Sequence, residues 1–255
     1  MLPHDVAGEG SAVLLLHNGL CDRRMWDRQM ETFAPSHRVV RCDLPGYGEA
    51  PPLSGPLSSA GEVLALMDAL DVERASVVGN SLGAGIALDV WLAAPDRVRS
   101  LVLVAAGRSG WNWSDALRRS QVAVDAAIAA GDLDRGVELG LQMWLDGQRP
   151  PGSVGGTVRA IVAQMYRQVL ENQRAADRPG SRRPRLQPPA DVRVPTLVIV
   201  GDRDQPDLLE VADAYARDIV GAHKVVMHGV AHIPSLERPD EFDALVLEFL
   251  GRLTP

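Results

Sequence analysis

Six short apolar runs, Ala12–Leu16, Arg38–Cys42, Ala75–Gly79, Ser100–Val104, Thr196–Gly201 and Lys224–Met227, recur along the chain with helix-period segments between them. Most are apolar almost without a break and rich in Val, Leu and Ile. A strand of that kind has no face to offer water, which is the pattern of a parallel sheet covered on both sides. The stretches Ala60–Leu70, Leu82–Ala93, Pro206–Ile219 and Asp240–Leu250 instead carry apolar residues at helical spacing. The clearest stripe is Phe242, Leu245, Val246, Phe249 and Leu250. Pro195 and Pro239 stand at the start of a strand and of a helix, where a fixed φ and a missing N–H are tolerated. The pattern predicts an α/β fold, a mostly parallel sheet flanked by helices.

The alternation stops between Gly107 and Arg193. Ser114–Ala130, Asp132–Leu145 and Val154–Ala175 read as amphipathic helices with no strand among them, and a Pro- and Arg-rich return follows at Asp177–Pro189. The chain thus divides into a core, residues 1–107 and 191–255, and an all-helical insertion, residues 108–190, placed between two strands of one sheet. Arg178, Arg182, Arg183 and Arg185 in the return read as a solvated linker, or else as a docking patch for a carboxylate.

Composition narrows what such a fold can serve. A formal net charge of -7 opposes nucleic acid as a partner. Runs such as Leu101–Ala106 fall far short of the ~20 residues of a membrane span, so no membrane partner is expected. The opening Met1-Leu2-Pro3-His4-Asp5 has neither the basic nor the apolar region of a signal peptide. Cys21 and Cys42 are too few for a disulfide framework or a zinc site. The expectation is a cytoplasmic globular protein with reduced, packed cysteines, no metal and no cofactor.

The chemistry concentrates at Gly79-Asn80-Ser81-Leu82-Gly83, directly between a predicted strand and a predicted helix. A serine on so tight a turn is crowded. Flanking glycines relieve the crowding and expose its Oγ at the carboxyl end of the sheet, while the Leu82 N–H opens the helix toward the same point. A serine hydroxyl needs a base, and the base an orienting acid. Asp204 follows the run Thr196–Val200, and His232 follows Lys224–Met227. All three lie beyond the carboxyl ends of strands, in the chain order Ser, Asp, His. Of the rival acids, Asp202 would point to the other side of an extended segment, and Asp207 is expected to cap the next helix.

These motifs, in this order, resemble the α/β-hydrolase superfamily. More narrowly they resemble its small lactonase and esterase members (3-oxoadipate enol-lactonase-like) and its carbon–carbon-bond hydrolases. The likeness covers nearly the whole chain. Leu14-Leu15-Leu16-His17-Asn18-Gly19 with Trp26 resembles the oxyanion-loop segment, and Asp43-Leu44-Pro45-Gly46-Tyr47-Gly48 the loop after the next strand. His232-Ile233-Pro234-Ser235-Leu236-Glu237-Arg238-Pro239 resembles the histidine loop. The resemblance implies Ser81 as nucleophile, His232 as general base and then acid, and Asp204 as the group that orients the imidazole. It further implies backbone N–H groups of Gly19 and Leu82 as the oxyanion hole, and residues 108–190 as a cap over the site. His17 is expected to organise its loop. Substrate-pocket candidates are Asn18, Asn80, Trp111, Trp113, Met143 and Trp144; turn geometry is the competing role for Asn80, and cap packing for Trp111, Trp113, Met143 and Trp144.

The sequence departs from the family pattern in its His17-Asn18-Gly19 loop, in Glu49-Ala50 where a structural hydroxyl is usual, and in Gly83-Ala84-Gly85 after the elbow. Too few residues precede Ala12 for the usual opening hairpin. Either that sheet edge is missing or shortened, or the reading frame has been called late; an exposed edge there favours a homo-oligomer. The activity implied is hydrolysis of a small, largely apolar carboxylic ester or lactone through an acyl-enzyme. The alternatives are a carbon–carbon-bond (meta-cleavage-type) hydrolase, for which Asn80 speaks, and a cofactor-free perhydrolase. A lyase, cyclase or binding protein on the same fold is the non-hydrolytic alternative. Ser81 in place of an aspartate argues against epoxide hydrolase and haloalkane dehalogenase chemistry.

Overall fold

A computed structural model describes residues 1–53, 58–175 and 191–253. Among these residues seven strands form one sheet: β1 (His4–Ala7), β2 (Ala12–Leu16), β3 (Arg38–Cys42), β4 (Ala75–Asn80), β5 (Val98–Val104), β6 (Thr196–Gly201) and β7 (His223–Met227). Their spatial order is β1-β3-β2-β4-β5-β6-β7. Every neighbouring pair is parallel except β1 with β3. The edge strand on the amino-terminal side is β1, antiparallel to β3 with Val6 opposite Val40.

The helices are α1 (Asp27–Phe33), α2 (Ser59–Ala69), α3 (Leu82–Ala93), α4 (Asp115–Ala129), α5 (Leu133–Gly140), α6 (Gly156–Ala175), α7 (Pro206–Asp218), α8 (Pro234–Glu237) and α9 (Pro239–Gly251). Alternation along the strands sends side chains to two faces. Leu14, Leu16, Val77, Leu103 and Val200 pack with Leu66 of α2, Leu88 of α3 and Tyr215 of α7. Val13, Leu15, Val78, Val102 and Ile199 pack with Phe33 of α1 and Phe242 of α9. β4 and β6 are buried at every position; their sequences are mostly apolar, and the buried Ser76 and Asn80 of β4 are hydrogen-bonded to Ser100 and to the Val104 carbonyl. Ser58, Ser114 and Asp132 open α2, α4 and α5 by accepting backbone N–H groups that would otherwise lack a partner.

Among the described residues between β5 and β6 the regular elements are all helices, with loops at 105–114 and 147–155. The helix expected over Asp132–Leu145 divides: α5 ends at Gly140 and a π-helical turn spans Leu141–Asp146. Gly147 closes that turn at φ 60°, and a Cβ there would sit 2.0 Å from the Arg203 carbonyl oxygen, so only glycine lets the turn settle on the loop after β6. Val137, Leu141, Leu145, Val162 and Val169 of the insertion share one buried cluster with Leu15, Trp26 and Ile233. The return with Arg178, Arg182, Arg183 and Arg185 lies outside the described residues. Among the described residues no helix is long and apolar enough to cross a membrane.

Candidate active site

Ser81 joins β4 to α3 at φ 53°, ψ -103°, a conformation that L-residues adopt only under constraint. The constraint is visible. The Ser81 N–H donates to the Val104 carbonyl at 2.8 Å and its carbonyl accepts from Gly85 N at 3.1 Å. A Cβ on Gly79 would lie 2.3 Å from the Gly83 carbonyl oxygen, and one on Gly83 would lie 2.2 Å from that of Leu16. Both glycines are therefore demanded by the close approach of the α3 start to β4 and β2.

His232 stands in the loop between β7 and α8, and Asp204 in the loop after β6; each is about 1% exposed. His232 Nδ1 pairs with Asp204 Oδ2 at 2.8 Å, and Asp204 Oδ1 accepts from the Gln205 N–H at 2.8 Å. With Nδ1 donating to the carboxylate, a neutral imidazole keeps its lone pair on Nε2. Asp202 is turned elsewhere, accepting from Gly229 N at 2.7 Å and pairing with the exposed His228. Asp207 does not cap α7. Because α7 starts at Pro206, Asp207 lies inside the first turn, and its carboxylate instead accepts from Ser114 N at 2.6 Å and Ser114 Oγ at 2.8 Å. It thereby fastens the entry of the insertion to the core.

Ser81 and His232 line one cavity of about 570 Å3, together with Gly19 and Leu82. Leu82 is the first residue of α3, where the N–H is free of intrahelical bonding and at the positive end of the helix dipole. Trp113 and Trp144 line the same cavity. Trp144 also lies against the His232 ring, with centroids 4.4 Å apart at 39°.

The other four pocket candidates lie elsewhere. Asn18 and Asn80 are fully buried and bonded to each other, Asn18 Nδ2 donating to Asn80 Oδ1 at 3.0 Å. Asn80 Nδ2 donates to the carbonyls of Val104 and His232, both at 3.1 Å, while Asn18 Oδ1 accepts from Leu20 N at 2.9 Å. They brace three loops around the site. Met143 is buried against Leu117 and Val124 within the insertion. Trp111 packs on the core cluster under the Arg108 guanidinium, 6.0 Å from its ring.

The loop before α1 is organised by His17. Its Nε2 accepts from Leu44 N at 2.9 Å, so the proton resides on Nδ1, which donates to the Asn18 carbonyl at 2.7 Å. Complete burial pushes this imidazole's pKa down. Both cysteines are free and buried. Burial pushes the Cys42 thiol up to about 12 and raises that of Cys21 as well, so neither offers a thiolate at neutral pH. Among the described residues no group of three or more His, Cys, Asp and Glu side chains is placed to hold a metal ion.

The cavity also takes Tyr47, Arg108, Ile128, Tyr166 and Leu170, none of which sequence reasoning had marked as pocket. Tyr47 sits inside the Asp43–Gly48 motif and was the one with a local signal. Tyr166 and Leu170 are four apart on α6, a spacing that marks a buried face without saying what it faces.

The model of the Alpha/beta hydrolase family matches residues 13–245. The acetyltransferase component of an acetoin cleaving system from Cupriavidus necator is 29% identical over 253 residues, covering 96% of this chain but 64% of that protein. The putative carbamate hydrolase RutD of Azorhizobium caulinodans is 28% identical, covering 99% of this chain and 96% of that one. The 2-hydroxy-6-oxo-6-phenylhexa-2,4-dienoate hydrolase of Comamonas testosteroni is 27% identical, covering 98% and 91%. This chain therefore spans less than two thirds of the first relative and nearly all of the other two. A solved thermophilic esterase from Thermogutta terrifontis, with malate bound, superposes with a TM-score of 0.81 at 25% identity, covering 100% of this chain and 94% of its own. With its sheet order, its strained serine turn and a family match over most of its length, the chain belongs to the α/β hydrolase family.

Proposed function

We propose that the protein is a serine hydrolase of small carboxylic esters or lactones, with Ser81, His232 and Asp204 as its triad. One observation carries this reading: Ser81, held on strained backbone, lines the same cavity as His232, whose Nδ1 is fixed by Asp204 at 2.8 Å. His232 Nε2 takes the Ser81 proton as Oγ attacks the acyl carbonyl, and Asp204 stabilises the imidazolium that forms. The N–H groups of Gly19 and Leu82 receive the developing oxyanion; each such donor contributes about 10²- to 10³-fold in rate. His232 then protonates the leaving alcohol, or the ring oxygen of a lactone, and activates water to release the acyl group. No cofactor or metal is required by this sequence of steps. Residues 108–190 act as a cap: Trp113, Trp144, Ile128 and Leu170 supply apolar walls for the acyl part.

Carbon–carbon-bond hydrolysis is the second reading and uses the same triad; the Comamonas relative is named a hydrolase of a 2-hydroxy-6-oxo dienoate. Asn80 was the residue that favoured it, and its amide is committed to Asn18, Val104 and His232 rather than to the cavity. A panel of short-chain esters, lactones and vinylogous diketones, assayed with wild type and Ser81→Ala, tests both. Ester or lactone turnover that drops roughly 10⁴-fold or more in the variant supports the first reading. Turnover confined to diketones supports the second, and turnover unchanged in Ser81→Ala removes both.

A further inference from the structure

Arg149 lies in the insertion and does not line the cavity, yet it holds both sides of the candidate base. On one side it secures the π-helical turn that carries Trp144: Nε donates to the Asp146 carbonyl at 3.0 Å, and Nη2 donates to the Leu145 carbonyl. On the other side Nη1 donates to the Gly229 carbonyl at 2.9 Å, and Nη2 pairs with Glu237 Oε2 at 2.6 Å. The Glu237 side chain is 3% exposed, and its carboxylate also accepts the N–H groups of Ala231, at 3.1 and 3.0 Å, and of Ile233, at 3.1 Å. Ala231 and Ile233 are the two residues that flank His232. The His232 N–H itself donates to the Trp144 carbonyl at 3.3 Å, and the two rings are in contact.

The guanidinium is thus the link between the turn that supports one face of the imidazole and the carboxylate that holds the backbone on either side of it. We propose that Arg149 is a positioning residue for the hydrolytic reaction, locking the Trp144 turn to the His232 loop so that the imidazole keeps its place between Asp204 and Ser81. The proposal rests on the serine-hydrolase reading above. Removing the guanidinium takes away the counter-charge of the Glu237 carboxylate; a carboxyl that gains a proton in its place is a weaker acceptor for the Ala231 and Ile233 N–H groups, and the hold on the His232 loop loosens. Arginine suits the task because one planar fork reaches three carbonyls and a carboxylate, whereas a lysine ammonium pairs with the carboxylate but spans fewer of them. Two further bonds hold the same turn to the loop of Asp204: Gln148 N to the Arg203 carbonyl at 2.7 Å, and Gln205 Nε2 to the Met143 carbonyl at 2.5 Å. The loops bearing acid and base therefore meet on one short segment of the insertion.

The test compares wild type, Arg149→Met and Arg149→Lys, with kcat expressed per active site titrated by a fluorophosphonate. Arg149→Met is expected to lose about 10- to 100-fold in kcat per titrated site with KM changed less than about threefold, since the side chain does not touch substrate. Arg149→Lys is expected to recover part of that loss. Proton NMR of wild type is expected to show a downfield His232 Nδ1–H resonance, and in Arg149→Met that resonance is expected to broaden or vanish. A lowered melting temperature with kcat per site and the downfield resonance both unchanged overturns the proposal, because a merely structural arginine would do that. If Arg149→Met fails to fold, Arg149→Lys carries the test: wild-type kcat per site and resonance there, with fewer carbonyls held, likewise overturn it. If wild type takes no fluorophosphonate on Ser81, the hydrolase reading is what fails. The resonance alone then decides whether Arg149 positions His232.

Discussion

The side-chain amide of Asn80 donates to the backbone carbonyl of His232 at 3.1 Å, tying the residue before the candidate nucleophile to the candidate base. Asn80→Ala removes three bonds at once and takes the acceptor from the fully buried Asn18 amide. We expect a loss of about 1–3 kcal/mol in denaturant-measured stability, accompanied by slower turnover. Asn80→Asp is expected to be worse, since a carboxylate would face the carbonyls of Val104 and His232. Equal stability of Asn80→Ala and wild type would show that the brace contributes little.

The elbow glycines divide by what surrounds them. Gly79→Ala and Gly83→Ala each place a Cβ against backbone oxygens at 2.2–2.3 Å, and are expected to cost about 4 kcal/mol or more, or to abolish soluble expression. Gly85 lies two residues further along α3, where an added Cβ would meet nothing within 4 Å. Gly85→Ala is therefore expected to stabilise by about 0.5–1 kcal/mol through helix propensity alone. Thermal or urea unfolding of the three variants checks the contrast.

His17 makes stability depend on pH. Burial lowers its pKa in the folded protein, so the folded state binds fewer protons than the unfolded one. The contribution is present above the about 6.5 at which an unfolded histidine titrates, and is lost as pH falls below it toward the depressed folded value. Urea unfolding between pH 8 and pH 5 is expected to show stability declining with acidification. His17→Gln should reduce that slope. Part of it will remain, because burial also lowers the pKa of His37.

Trp113 and Met143 separate substrate contact from packing. Trp113 lines the cavity, whereas Met143 is 5% exposed and packs within the insertion. Trp113→Ala is expected to change KM and the acyl-length preference across an ester series. Met143→Ala is expected to lose about 2–5 kcal/mol in stability while leaving that preference in place. A shifted preference in Met143→Ala would place it in the substrate path.

Much of this architecture was legible in the chain. β2 and β6 begin and end where their apolar runs do, because strands covered on both faces have few polar positions to blur the pattern; β3 matches its run as well, although Arg38 and Arg41 are half-buried. β1 was not legible: His4-Asp5-Val6-Ala7 is a half-exposed edge strand, and its pairing with β3 is decided by tertiary contact. The π-helical turn was hidden for a related reason, since Leu133–Leu145 keeps a helical spacing of apolar residues and nothing local marks where the hydrogen bonding changes.

At the site, Ser81, Asp204 and His232 could be placed by their position after strand ends. Asn18 and Asn80 could not, since polar residues beside a nucleophile fit a pocket and a brace equally well. Their partners lie 62 and 152 positions away along the chain. The part of the cavity built by Tyr166 and Leu170 depends on how α6 is laid over the sheet, which helical spacing does not encode.

The central claim is that Ser81 is an activated nucleophile. It is tested most directly by exposing wild type and Ser81→Ala to a fluorophosphonate and mapping the adduct by peptide mass spectrometry. The account predicts one adduct per chain, on Ser81, absent from the variant and formed more slowly in Asp204→Asn. A folded wild type that takes no adduct, or takes it on another residue, would contradict it.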